Sequence, residues 1–89
     1  MRVILCPLQM YIIEQTIYVY DWDKKDVLSK HTTDVNNLAK TVCALAGELD
    51  INEVRLMVGN KDFWTPWAEE IKTVYALNYG NNNINVEVI

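Results

Sequence analysis

DVNNLAKTVCALAGELDINEVRLMVGNKDFWTPWAEEIKTVYALNYGNNNINVEVI, residues 34–89, decides the fold. It opens on Asp34, whose carboxylate can accept a bond from a free backbone N–H and so predicts a helix N-cap. Val35, Leu38, Ala39, Val42, Leu45, Ala46 and Leu49 then recur at helical spacing. Asn36, Asn37, Lys40 and Glu48 lie away from that stripe, which makes the helix amphipathic. Residues 53–58 read as a strand, with Val54, Leu56 and Val58 on its regular face. Met57 fills part of the other face and predicts cover on both sides. Gly59-Asn60-Lys61-Asp62 is read as the exit loop. Thr65 as N-cap and Pro66 as first helical residue predict where the second helix begins. Glu69 and Glu70 in its early turns favour the helix dipole. Trp67, Ile71, Val74, Tyr75 and Asn78 share a face, and Gly80 suits a left-handed helix end. Asn81, Asn82 and Asn83 form a loop before a last strand over residues 84–89.

Upstream, Val3 to Leu8 is an apolar run with Pro7 near its exit, which predicts a buried strand. Met10, Tyr11, Ile12 and Ile13 are apolar without periodicity; they extend that strand or form a turn packed under it. Residues 16–22 alternate, with Ile17 and Val19 on one side and Tyr18, Tyr20 and Trp22 on the other, as a strand requires. A polar turn, Asp23-Lys24-Lys25-Asp26, returns the chain as a third strand over residues 27–31 in an antiparallel hairpin. The order is βββαβαβ: an α/β domain with a five-stranded mixed sheet and two amphipathic helices, a single domain over residues 1–89. Both β-α-β crossovers should be right-handed, and each helix should cover a sheet face.

The chain has 89 residues and is 51% hydrophobic, so it folds around a core, but a modest one. Small domains of this kind gain stability by pairing with another chain. Net charge is −4, which argues against non-specific binding to nucleic acid, since that needs a basic stripe. An acidic face of this kind serves solubility, or meets a basic partner or mimics nucleic acid. Cys6 and Cys43 sit in apolar segments with no CxxC spacing and no nearby histidine, as expected of reduced core thiols in a cytoplasmic protein. The apolar run after Met1 is too short for a signal peptide, and no stretch approaches the length of a membrane span.

Three antiparallel strands followed by alternating helix and strand resemble the ribonuclease H-like fold, and within it the RuvC/YqgF group of Holliday-junction resolvases. Val3-Ile4-Leu5-Cys6-Pro7-Leu8 stands where that family opens with a strand ending in an Asp-Pro-Gly-like turn. Val54-Arg55-Leu56-Met57-Val58-Gly59 is similar to the family's strand ending in glycine, and Trp67-Ala68-Glu69-Glu70-Ile71 to the helix after it. Gly80 and Asn81 then lead to Asn85-Val86-Glu87-Val88-Ile89, which resembles the next strand. The family holds two metal ions with clustered carboxylates, because two close cations need several anionic oxygens. Here Cys6 aligns with the first-strand aspartate, no carboxylate ends the fourth strand, and Asp62 lies just past it. The sequence also stops before the family's last, carboxylate-bearing helix. The resemblance therefore implies a degenerate, truncated member with no metal, no cofactor and no catalytic residue.

Other constellations carry little chemistry. Asp21, Asp23 and Asp26 surround one turn but lack the glycine and distal glutamate of a calcium loop, and Lys24 and Lys25 oppose a cation. His31, the only histidine, is expected at the surface of a strand end. Ser29, the only serine, has no G-x-S-x-G context. Gly47, Gly59 and Gly80 are too dispersed for a phosphate loop. Amides after Thr65 could bind an anion, but Pro66 removes a donor and Glu69 and Glu70 repel it.

Aromatic residues offer more. Phe63, Trp64 and Trp67 crowd a loop-to-helix junction, and Trp64, placed before the cap, is expected as an exposed interface anchor. Tyr18, Tyr20 and Trp22 form a second row, which becomes an interface patch where no helix covers that face. The final strand, with Val86 and Val88 alternating against Asn85 and Glu87, has no residue after Ile89 in the sequence to cover it; at a sheet edge it could pair with another chain. These features predict a non-enzymatic interaction module that self-associates or binds a protein partner, in the style of a virus- or phage-encoded accessory or inhibitor protein. The alternative is a degenerate nuclease or a nucleic-acid-binding protein. The first is expected to need Asp62 with magnesium or manganese; the second, to bind with steep salt dependence.

Overall fold

The computed structural model describes residues 1–10, 12–57 and 61–89. Strands β1 (Arg2–Pro7), β2 (Glu14–Asp21) and β3 (Asp26–Asp34) are followed by a 3-10 turn (Val35–Asn37) and helix α1 (Leu38–Leu49). Strand β4 (Glu53–Met57), helix α2 (Lys61–Tyr79) and strand β5 (Asn85–Val88) complete the chain. The five strands form one mixed sheet in the order β3-β2-β1-β4-β5. β1 runs antiparallel to β2, and β2 to β3; β4 is parallel to both β1 and β5. The expected α/β class and element order are therefore what the chain adopts.

Period-two alternation sends Ile4, Cys6, Ile17, Val19, Val54, Leu56 and Val86 to one face, where they form a single core with Leu38, Val42, Leu45 and Ile71. Both helices lie on that face and pack against each other. The expected two-sided cover of the fourth strand is overturned. Met57 is 46% exposed because no helix among the described residues reaches its side. Two layers, one of strands and one of helices, give a molecule 31 × 30 × 20 Å in extent.

Local chemistry explains the joints. Asp34 ends β3 and caps the 3-10 turn, its Oδ1 accepting the Asn37 N–H at 2.9 Å. Thr32 and Thr33 belong to β3 and pair with Thr16 and Gln15. β-branched residues fit the pleat, so the strand outruns its predicted end at His31. Residues 8–10 and 12–13 lie outside the strands, so this segment resolves as a turn; Tyr11 lies outside the described residues. Gln15, the buried polar side chain beneath it, donates from Nε2 to the Gln9 and Ile12 carbonyls and accepts the Gln9 N–H. Asp50 closes α1 in the left-handed conformation, and Gly80 follows α2 at φ 69°, as its lack of Cβ allows.

The second helix corrects the sequence reading. It begins at Lys61, so Thr65 is inside it, with Oγ1 donating to the Lys61 carbonyl at 2.7 Å, and Pro66 is an exposed residue of its second turn. Val58, Gly59 and Asn60, read as strand end and loop, lie outside the described residues.

Candidate interaction surface

The helix-free face is built by the residues that alternate with the core. Leu5 pairs with Tyr18 on one side and Arg55 on the other; Tyr18 pairs with Lys30, and Arg55 with Glu87. These five positions make one continuous row across all five strands. A second row begins with Val3 against Tyr20 and Val27. The β2–β3 register shifts between Val19 and Tyr20, where β3 carries the extra residue Leu28 beside the aromatic row.

Long side chains cover this face in place of a helix. The Arg55 guanidinium carbon lies 4.5 Å from the Trp22 ring centroid, a cation–π contact. Trp22 meets Tyr20 edge to face, with centroids 6.0 Å apart at 77°. Lys30 Nζ stands 6.0 Å from the Tyr18 ring, at the outer limit of such a contact. Val3 is 0% exposed although it lies outside the helix-covered core. Trp22 remains 43% exposed, with Val27 and Leu28 exposed beside it at the sheet edge. Arg55 Nε is buried and has no hydrogen-bond partner among the described residues. Glu53 accepts a bond from Asn85 Nδ2 at 3.1 Å on the same face.

Phe63, Trp64 and Trp67 do come together, but Trp64 is a correction. Because α2 starts one turn early, Trp64 joins Ala68 and Ile71 on the buried stripe and is only 2% exposed, so it anchors the core instead of a partner. Phe63 stacks on Trp67 with centroids 5.2 Å apart, and both are half-buried. With Ile12, Ile13, Val35 and Trp64 they line an apolar cavity of about 180 Å³ on the helix side. Val86 is corrected likewise: it is buried under the helices, and Val88 packs against the same core. The backbone of β5 lies at the sheet edge, and its Asn85 and Glu87 side chains are exposed.

The residues weighed for chemistry are placed apart. Cys6 is fully buried, and burial pushes its thiol up to about 12, so it holds its proton and offers no thiolate to a metal. Cys43 is buried too; its Sγ donates to the Ile71 carbonyl at 3.3 Å, and burial pushes its thiol up to about 11. Asp62 is exposed in the first turn of α2. No group of three His, Cys, Asp or Glu residues that could hold a metal ion occurs among the described residues. Asp21 turns its Oδ1 to the Lys24 and Asp23 N–H groups, which hold its carboxyl below the usual range, and Asp23 pairs with the Met1 ammonium. His31 lies within the edge strand β3, partly exposed, with its Nε2 bonded to Ser29 Oγ at 2.9 Å.

Sequence reasoning missed Lys30, Leu5, Arg55 and Glu87 as members of this surface. Arg55 was the available signal: one arginine between Val54 and Leu56 marks a face that no helix covers. No described helix is long and apolar enough to cross a membrane. Compared with known proteins, the chain matches no protein-family model, no curated protein and no solved structure.

Proposed function

We propose that this chain is a non-enzymatic protein-interaction module that self-associates or binds a protein partner through its helix-free sheet face. The observation that carries this reading is the face itself: Tyr18, Tyr20, Trp22 and Arg55 sit together on a sheet surface that no described helix covers. Tyrosine, tryptophan and arginine are enriched among the few residues that dominate binding energy at protein contacts. A ribonuclease H-like ancestry without its chemistry belongs to the same reading. The three antiparallel strands followed by helix and strand support the ancestry, and the buried Cys6 and the isolated Asp62 fit lost metal binding. Small size and net charge −4 fit a virus- or phage-encoded accessory or inhibitor protein acting in a host cytoplasm.

The test is a mass measurement in solution, on the chain alone and after pull-down from its native host. The expected outcome is a mass above the 10.3 kDa of one chain, or a retained protein, either of them lost on Tyr18→Asp with the fold intact. A monodisperse 10.3 kDa species with no retained protein defeats the reading.

A further inference from the structure

The geometry points to a second copy of this chain as the partner: two sheets stack through their helix-free faces about a two-fold axis parallel to β1. This inference rests on the interaction reading above. Its basis is the row Lys30, Tyr18, Leu5, Arg55, Glu87, which crosses the sheet from β3 to β5. The row complements itself about its middle residue. A two-fold axis along the central strand exchanges left and right, so β3 of one copy faces β5 of the other. Leu5 then meets the partner's Leu5. Tyr18 meets the partner's Arg55, a cation against an aromatic face. Lys30 meets the partner's Glu87, and symmetry makes each of these mixed pairs twice.

The perpendicular in-plane axis that passes through this same row is disfavoured by charge. It would set Lys30 against Lys30, Arg55 against Arg55 and Glu87 against Glu87, and like charges across an interface are strongly disfavoured. The adjacent row supports the first axis. Tyr20 flanks Val3 on one side, and Glu53, next to Val54, flanks it on the other. The same rotation sets the Tyr20 hydroxyl against the partner's Glu53 carboxylate.

One further observation fits this occupant. The broad side of the molecule measures 31 × 30 Å, room for the ~800 Å² per partner that a stable interface buries. Stacked sheets sit about 30° apart, so strict opposition holds at Leu5 and loosens toward the edges. Lys30 and Glu87, at those edges, are long enough to absorb the offset.

Light scattering on the wild type, Lys30→Glu, Glu87→Lys and a mixture of the two variants tests the assembly. Both positions are exposed, so the variants fold, which circular dichroism verifies. The wild type is expected at twice 10.3 kDa, and each single variant at 10.3 kDa with dimer affinity lowered at least tenfold. The mixture is expected to return to the dimer, because every reversed charge then meets its opposite. A wild-type monomer at the highest soluble concentration overturns the proposal. So do single variants that dimerise like wild type, or a mixture that stays monomeric. A monomer that retains a host protein through Tyr18 overturns the second copy alone; one that retains nothing defeats the interaction reading as well.

Discussion

On one face of the sheet, Ile4, Cys6, Ile17, Val19, Val54 and Leu56 lie under two helices. On the other, Leu5, Tyr18, Tyr20 and Arg55 lie under none of the described helices, yet Val3 between them is 0% exposed. The covered face excludes water with aliphatic side chains and packed helices. The open face does so with the side chains of Trp22, Tyr20 and Arg55 laid across it. Aliphatic groups need a second layer to cover them, whereas large aromatics and arginine cover a neighbour while keeping an outer surface of their own. A sheet face built this way shields its own apolar residues without a second layer.

Removing one tryptophan from each face sharpens that comparison. Trp64→Ala empties the core between α2 and the sheet and is expected to cost about 3–5 kcal/mol in denaturant unfolding. A loss of less than about 1 kcal/mol would mean the helix layer is not the main source of stability.

The next effect is alkaline and belongs to the covered face alone. Cys6 and Cys43 are pushed up to about 12 and 11 from 9.0, so the folded chain keeps protons that the unfolded chain releases. Their contribution is intact below pH 9.0 and is lost as pH rises toward those values. The expected fall is on the order of 1 kcal/mol per thiol for each pH unit over that window. Unfolding followed from neutral to about pH 10 checks it, and Cys43→Ala should make the slope shallower. An unchanged slope would assign the loss to other groups.

The smallest effect falls on the open face. Trp22→Ala, measured where the chain is monomeric, removes one cation–π and one edge-to-face contact that remain partly in water. It is expected to cost about 1 kcal/mol or less. A cost equal to that of Trp64→Ala would erase the distinction between the faces.

Much of the fold was legible. From Leu38 to Ala46 the predicted stripe is the buried side of α1, with Val35 in the 3-10 turn before it, and the alternation of Ile17 and Val19 with Tyr18 and Tyr20 is the division between faces. Gly80 takes the left-handed conformation its position required. The start of α2 was misread because Thr65-Pro66 carries a local start signal. Burial of Trp64 on the helix's inner stripe outweighs that signal and favours an additional turn back to Lys61. The surface was half legible for a related reason. Aromatic periodicity marks Tyr18, Tyr20 and Trp22, but nothing in the local sequence joins them to Arg55 and Glu87 on distant strands.

Periodicity by itself determined the element types and which residues share a side, because backbone geometry fixes a repeat of two for strands and 3.6 for helices. Composition determined a core rich in aliphatics. Only the tertiary structure decided that both helices take the same face, that Trp64 goes inward and that Lys30, Tyr18, Leu5, Arg55 and Glu87 align in one row. Alternation states that a sheet has two sides. Which side is covered depends on how the connections cross over and on the register between strands far apart in the chain, and those are set by packing.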